Sequence, residues 1–102
     1  MFIHSVFFWT KNSASQAQLN QFAANCHSLL AKIPGVHHLW AGPPAMTPRP
    51  VVDSSYAVGL CVILADSAAH DVYQTHPLHM EFITRNQAAW SRIQVYDSLA
   101  QG

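Results

Sequence analysis

Phe2 to Thr10 alternates bulky side chains between two sides, with Phe2, Val6 and Phe8 on one and Ile3, Phe7 and Trp9 on the other. Aromatic and β-branched residues in such a run predict a strand. After a turn over residues 11–15, Leu19, Phe22, Ala23, Cys26, Leu29, Leu30 and Ile33 recur at steps of three and four. That spacing is one face of a helix. Ser15 with Gln18 supplies a capping box at its start, and Pro34-Gly35 ends it. Val36 to Gly42 predicts a second strand, and the loop over 43–55 is made irregular by Pro43, Pro44, Pro48 and Pro50. In a third strand over 56–65, Val58, Leu60, Val62 and Leu64 oppose Ala57, Cys61 and Ile63. Asp66-Ser67 starts a short helix over 67–75. Pro77 restarts it, because proline suits a first helical turn, and the periodicity carries to about Trp90. A last strand covers 92–97.

The order β-α-β-β-α-β is the ferredoxin-like α+β arrangement. Its helices lie on one side of the sheet, so the other side is normally polar. Here both sides are apolar, and one chain has helices for only one of them. A twin subunit stacking sheet on sheet covers the second, which predicts a homodimer through the sheet face, a dimeric α/β barrel. The 102 residues make a single domain, 1–102.

Composition supports association. Hydrophobic residues make up 50% and charged residues 10%, against about a quarter in an average protein. Five basic and five acidic residues cancel, so the electrostatic footprint of a nucleic-acid or anionic-membrane partner is missing. The longest apolar run, 56–65, is too short to cross a bilayer as a helix. The first residues carry no Lys or Arg and make a poor signal peptide. Cys26 and Cys61 form no C-x-x-C pair. Both are expected to face the core as free thiols, which suits a reducing cytoplasm.

Seven histidines stand out in so short a chain. On a helix restarting at Pro77, His79 shares a face with Phe82 and Ile83 and should point inward. His4 lies on the side of Phe2 and Val6, Tyr73 sits one turn before the break, and Asp97 is on the last strand. A buried imidazole beside a phenol and a carboxylate can act as acid or base near neutral pH. The plainer account of each residue is structural: His4 as a hydrogen-bonded core residue, His76 as a cap or surface turn, Tyr73 as packing. His27 and His70 read as solvated helix positions, and at most one of His37 and His38 faces inward. His76 and His79 with His4 or His38 have metal-ligand spacing, yet no H-E-x-x-H or cysteine cluster accompanies them, so no metal is assigned. Phosphate-loop, dinucleotide and nucleophile-elbow motifs are missing too.

The opening IHSVFFW, the IPGV after the first helix, Gly42, the block Tyr73-x-x-His76-Pro77-x-His79-x-x-Phe82 and the late Tyr96-Asp97 resemble the stress-responsive dimeric α/β-barrel (Dabb) family. The resemblance runs over nearly the whole chain and implies the same ferredoxin-like dimer. A plant polyketide cyclase of that family, olivetolic acid cyclase, closes a linear polyketide by intramolecular aldol condensation without a cofactor. By that resemblance His79 is the general base and Tyr73 holds the substrate oxygen. His4, His76, Phe82 and Asp97 are the expected substrate-binding residues. Val58 and Cys26 depart from the cyclase, standing where a second pocket histidine and a pocket tyrosine are expected. The expectation is an apolar pocket between the first helix and the sheet that binds or cyclises a small apolar carbonyl compound, with no cofactor. A non-enzymatic, stress-associated structural dimer is the first alternative. A haem- or metal-dependent monooxygenase-like barrel is the second, by fold analogy alone.

Overall fold

A computed structural model describes residues 1–101. The chain runs β1 (Phe2–Thr10), α1 (Gln16–Leu29), β2 (Val36–Gly42), β3 (Val58–Leu64), α2 (Ser67–Thr75), α3 (Pro77–Asn86) and β4 (Trp90–Leu99). The strands form one antiparallel sheet in the order β2-β3-β1-β4. This is the ferredoxin-like α+β fold, with β1 at the centre and the helices on one side.

Local chemistry sets the ends of α1. Ser15 Oγ accepts from the Gln18 amide at 3.2 Å while Gln18 Oε1 accepts from the Ser15 amide at 2.7 Å, so two otherwise unpaired donors are satisfied. A single 3-10 turn, Leu30–Lys32, leads to Gly35, whose φ of 93° disfavours any side chain. A Cβ there would also come within 2.9 Å of Ala69 Cβ, so glycine lets α2 pack directly on this turn.

The core lies between sheet and helices. Val6, Phe8, Leu60 and Val62 present the sheet's buried side, and Phe22, Cys26 and Leu29 present that of α1. Burial pushes the Cys26 thiol up to about 12, which keeps it an unreactive neutral thiol. The Phe22 ring meets Phe8 at 4.8 Å and Phe82 at 5.5 Å between centroids, both edge-on. A buried amide pair ties α1 to the end of α3: Asn25 Nδ2 donates to Asn86 Oδ1 at 3.3 Å, and Asn86 Nδ2 donates to the Phe82 carbonyl at 2.8 Å.

The other side of the sheet is also rich in large side chains and, among the described residues, has no helix over it. Ile3, Phe7 and Trp9 lie there on β1, with Trp40, Ile63 and Tyr96 on the flanking strands. Trp40 is 56% exposed and Tyr96 61%. Cys61 belongs to this side, contrary to the expected core position. It pairs with Ser5 and Trp40, and the period-two pleat turns it away from Leu60 and Val62.

Two boundaries also differ from expectation. The helix after Pro77 stops at Asn86, and a 3-10 turn, Gln87–Ala89, delivers Trp90 into β4 rather than into the helix. The third strand begins at Val58, leaving Tyr56 and Ala57 in the proline-rich loop. Among the described residues, no helix is long and apolar enough to cross a membrane.

Candidate functional site

The site depends on a break between two helices. Asp66 caps α2, its carboxylate accepting from the Ala69 amide at 2.8 Å. The helix ends at His76, which is extended (φ −64°, ψ 141°), because the ring of a following proline crowds a helical residue before it. His76 Nδ1 then accepts from the Leu78 amide at 3.1 Å and starts α3, with Pro77 in the first turn. In one continuous helix Tyr73 and His79, six positions apart, would point about 120° apart at roughly 100° per residue. The break resets the phase, and their rings meet edge-to-face at 4.9 Å.

Both residues line a cavity of about 170 Å³ together with His4, Phe82 and Trp90. It extends to the edge of the sheet, where the exposed Ile93 and Val95 also line it. The cavity lies between α2, α3 and the sheet, not beneath α1 as expected. Phe22 with Phe8, Phe82 and Trp90 fills the space under α1 with aromatic rings.

Its polar groups are few and incompletely paired. His79 Nδ1 and Trp90 Nε1 are buried and have no hydrogen-bond partner among the described residues. Buried polar groups are normally hydrogen-bonded, so a ligand that pairs with these two would complete the lining. Burial is the main cause that lowers the pKa of His79 below the ordinary 6.5, with His4 and His70 adding to it. The imidazole is therefore neutral at neutral pH and able to take a proton. Burial raises the Tyr73 phenol, with Cys26 adding to the shift, so Tyr73 keeps its O–H as a donor.

Behind the cavity stands a second group. His4 and Asp97 are register partners on β1 and β4, with Nδ1 and Oδ1 2.6 Å apart. Burial lowers the His4 pKa and outweighs the Asp97 hydrogen bond and charge, which raise it. His4 is thus neutral and donates Nδ1–H to the carboxylate, leaving Nε2 as its free ring nitrogen. His70 joins them from α2. It stacks on Phe2 at 4.2 Å, its ring centroid is 5.0 Å from that of His4, and its Nε2 is 4.0 Å from Asp97 Oδ2.

Of the residues singled out from the sequence, His79, Tyr73, His4 and Phe82 come together at the cavity. Asp97 sits behind His4 rather than on the lining, and the His76 ring is the α3 cap. His70 was expected in solvent, but its side chain is only 16% exposed. The signal was available, since His70 lies three residues before the inward Tyr73 and shares its helix face. Trp90 had no such signal, because its place depends on where α3 stops. His38 stacks on Trp40, on the open side of the sheet, away from any shared ion with His79.

Residues 2–100 match the sequence model of the Stress responsive A/B Barrel Domain family. Among solved structures, the chain is similar to a Dabb family protein with a ferredoxin-like fold from Mesorhizobium loti, at 24% identity over 99% of this chain and 97% of that one, TM-score 0.79. It is similar to a dimeric ferredoxin-like protein of unknown function from Thermobifida fusca, at 16% identity over 97% and 90%, TM-score 0.83. It is also similar to a hydroxynitrile lyase from Passiflora edulis, at 20% identity over 98% and 93%, TM-score 0.82. No curated protein matches. At these identities the likeness to the solved structures establishes the fold.

The depressed His79 pKa fixes the sign of an acid effect. In the unfolded chain this imidazole binds its proton near 6.5, and in the folded chain only at lower pH. Its contribution to stability is therefore intact above 6.5 and is lost as pH falls from there towards the folded value. Urea midpoints measured from about pH 7.5 down to about pH 5 should fall for the natural chain and fall less for His79→Gln. Equal slopes for the two would contradict this placement of His79.

Proposed function

The chain belongs to the stress-responsive A/B barrel domain family, and from that premise we propose that its cavity binds a small apolar carbonyl compound and moves a proton on it without a cofactor. The observation that carries this reading is the buried Nδ1 of His79, without a partner among the described residues, beside Tyr73 in a mostly apolar cavity. An apolar hollow with a few convergent polar groups is the usual form of a small-molecule site.

In the aldol version, His79 takes a proton from the carbon next to a carbonyl. The negative charge gathers on the carbonyl oxygen, where the Tyr73 O–H can hydrogen-bond it. The enolate carbon then attacks a second carbonyl, and the new alkoxide recovers the proton from His79. In the lyase version the same base removes a hydroxyl proton, the C–C bond breaks as a carbonyl forms, and the leaving carbanion takes that proton back from His79. That a hydroxynitrile lyase shares the fold supports the lyase version. Trp90 Nε1–H is a second donor at the cavity, and His4, held by Asp97, a second acceptor through Nε2. Phe82 shapes the wall, and His76 acts through the start of α3 rather than by contact. At about 170 Å³ the cavity is smaller than the roughly 300–1,000 Å³ of drug-sized sites, which favours a short substrate over an extended polyketide.

The same reading includes a homodimer formed by the uncovered sheet side, in the cytoplasm, where both cysteines remain free thiols. Large exposed side chains on that side support it, as does the dimeric state of the Thermobifida fusca neighbour. Phe7→Glu should give a monomer by sedimentation velocity, and a dimer that survives it would move the interface elsewhere.

The functional test uses short β-diketones and β-hydroxy carbonyl compounds as probes. A compound that is turned over, or that raises the thermal midpoint, should lose that effect in His79→Ala. Turnover should fall about 10²–10⁴-fold, as for loss of a general base. Tyr73→Phe should weaken binding and turnover while preserving the fold. Probes that shift neither the natural chain nor the variants would leave a structural dimer as the better description.

A further inference from the structure

We propose that His4, His70 and Asp97 form a binding site for a divalent transition metal of the zinc class, next to the cavity but separate from the His79 and Tyr73 pair. Each of these residues offers one ligand atom, and the three atoms lie within 4.8 Å of one another. They come from β1, α2 and β4, so three ordered elements fix the geometry.

Asp97 works as a fork between the two imidazoles. One oxygen is 2.6 Å from His4 Nδ1, and the other is 4.0 Å from His70 Nε2. Zinc holds its ligands at about 2.0–2.1 Å in a tetrahedron, which sets the ligand atoms roughly 3.3 Å apart. With one ligand atom from each residue, all three lie within 4.8 Å of one another, so side-chain rotations bring them to that spacing around one ion. Two nitrogens and one carboxylate suit zinc, cobalt or nickel, whereas magnesium and calcium prefer oxygen alone.

The surroundings are those of a formed site rather than a surface cluster. The His4 side chain is 6% exposed and that of His70 16%, while Asp97, at 38%, leaves a way in. Stacking on Phe2 orients the His70 ring. The Gln74 amide nitrogen lies 3.0 Å from His70 Nε2, and the carbonyl oxygen of that amide is a fourth ligand if the group turns over. Otherwise water takes the fourth position. To ligate through Nδ1, the neutral His4 ring carries its proton on Nε2 instead, and the Asp97 oxygen it held turns to the ion.

The test is equilibrium dialysis of the intact protein against zinc ion, with cobalt ion as the spectroscopic probe. The natural chain should hold one ion per chain and give the intense visible bands of tetrahedral cobalt. His70→Phe, which retains a ring to stack on Phe2, and Asp97→Asn should each weaken binding by about 10–100-fold or more. A double His27→Gln, His37→Gln variant removes two exposed imidazoles and should bind as the natural chain does. Should His70→Phe fail to fold by circular dichroism, His70→Gln takes its place. No zinc held at micromolar concentration, binding that survives loss of His70, or binding lost in the His27 and His37 control would each overturn the proposal.

Discussion

Strand β1 carries large apolar side chains on both of its sides, and the helices cover only one. Exposed apolar surface costs about 25 cal/mol per Å² relative to burial, so a central strand of this kind needs two partners. On the helix side Val6 and Phe8 meet Phe22, and His4 takes the same side nearer the strand's start. On the other side Ile3, Phe7 and Trp9 form the uncovered face that is the candidate interface. The candidate site and the candidate interface are thus opposite sides of one strand.

The helix side is filled unevenly. Four aromatic rings, Phe8, Phe22, Phe82 and Trp90, occupy the half beneath α1. The half beneath α2 and α3 keeps a hollow, and the His76-Pro77 break turns Tyr73 and His79 into it together. His79 Nδ1 and Trp90 Nε1 have no hydrogen-bond partner among the described residues, so both are open to a ligand.

Much of this was legible along the chain because its causes are local. The capping box at Ser15, the Pro34-Gly35 stop, the alternation in β1 and the restart at Pro77 each involve neighbours in sequence, and each is where the pattern predicts it. The inward turn of His79 followed from its spacing to Phe82 and Ile83. What the pattern missed depends on distant partners. Cys61 is on the open side because of its strand register, and Trp90 joins the site because α3 ends a turn early. His70 leaves solvent because Phe2 offers a ring for it to stack on. The cavity was expected beneath α1, and only the packing of aromatics from four elements shows why it is not there.

The decisive observation would be the ¹⁵N shifts of the His79 imidazole as a function of pH, with and without a short β-diketone. A ring buried in the cavity with its Nδ1 unpaired stays neutral down to pH values below 6.5, and its Nδ1 resonance moves when the ligand is added. A ring that titrates at or above 6.5 and ignores every ligand would show that His79 is an ordinary solvated histidine. The proposed site would then have no base.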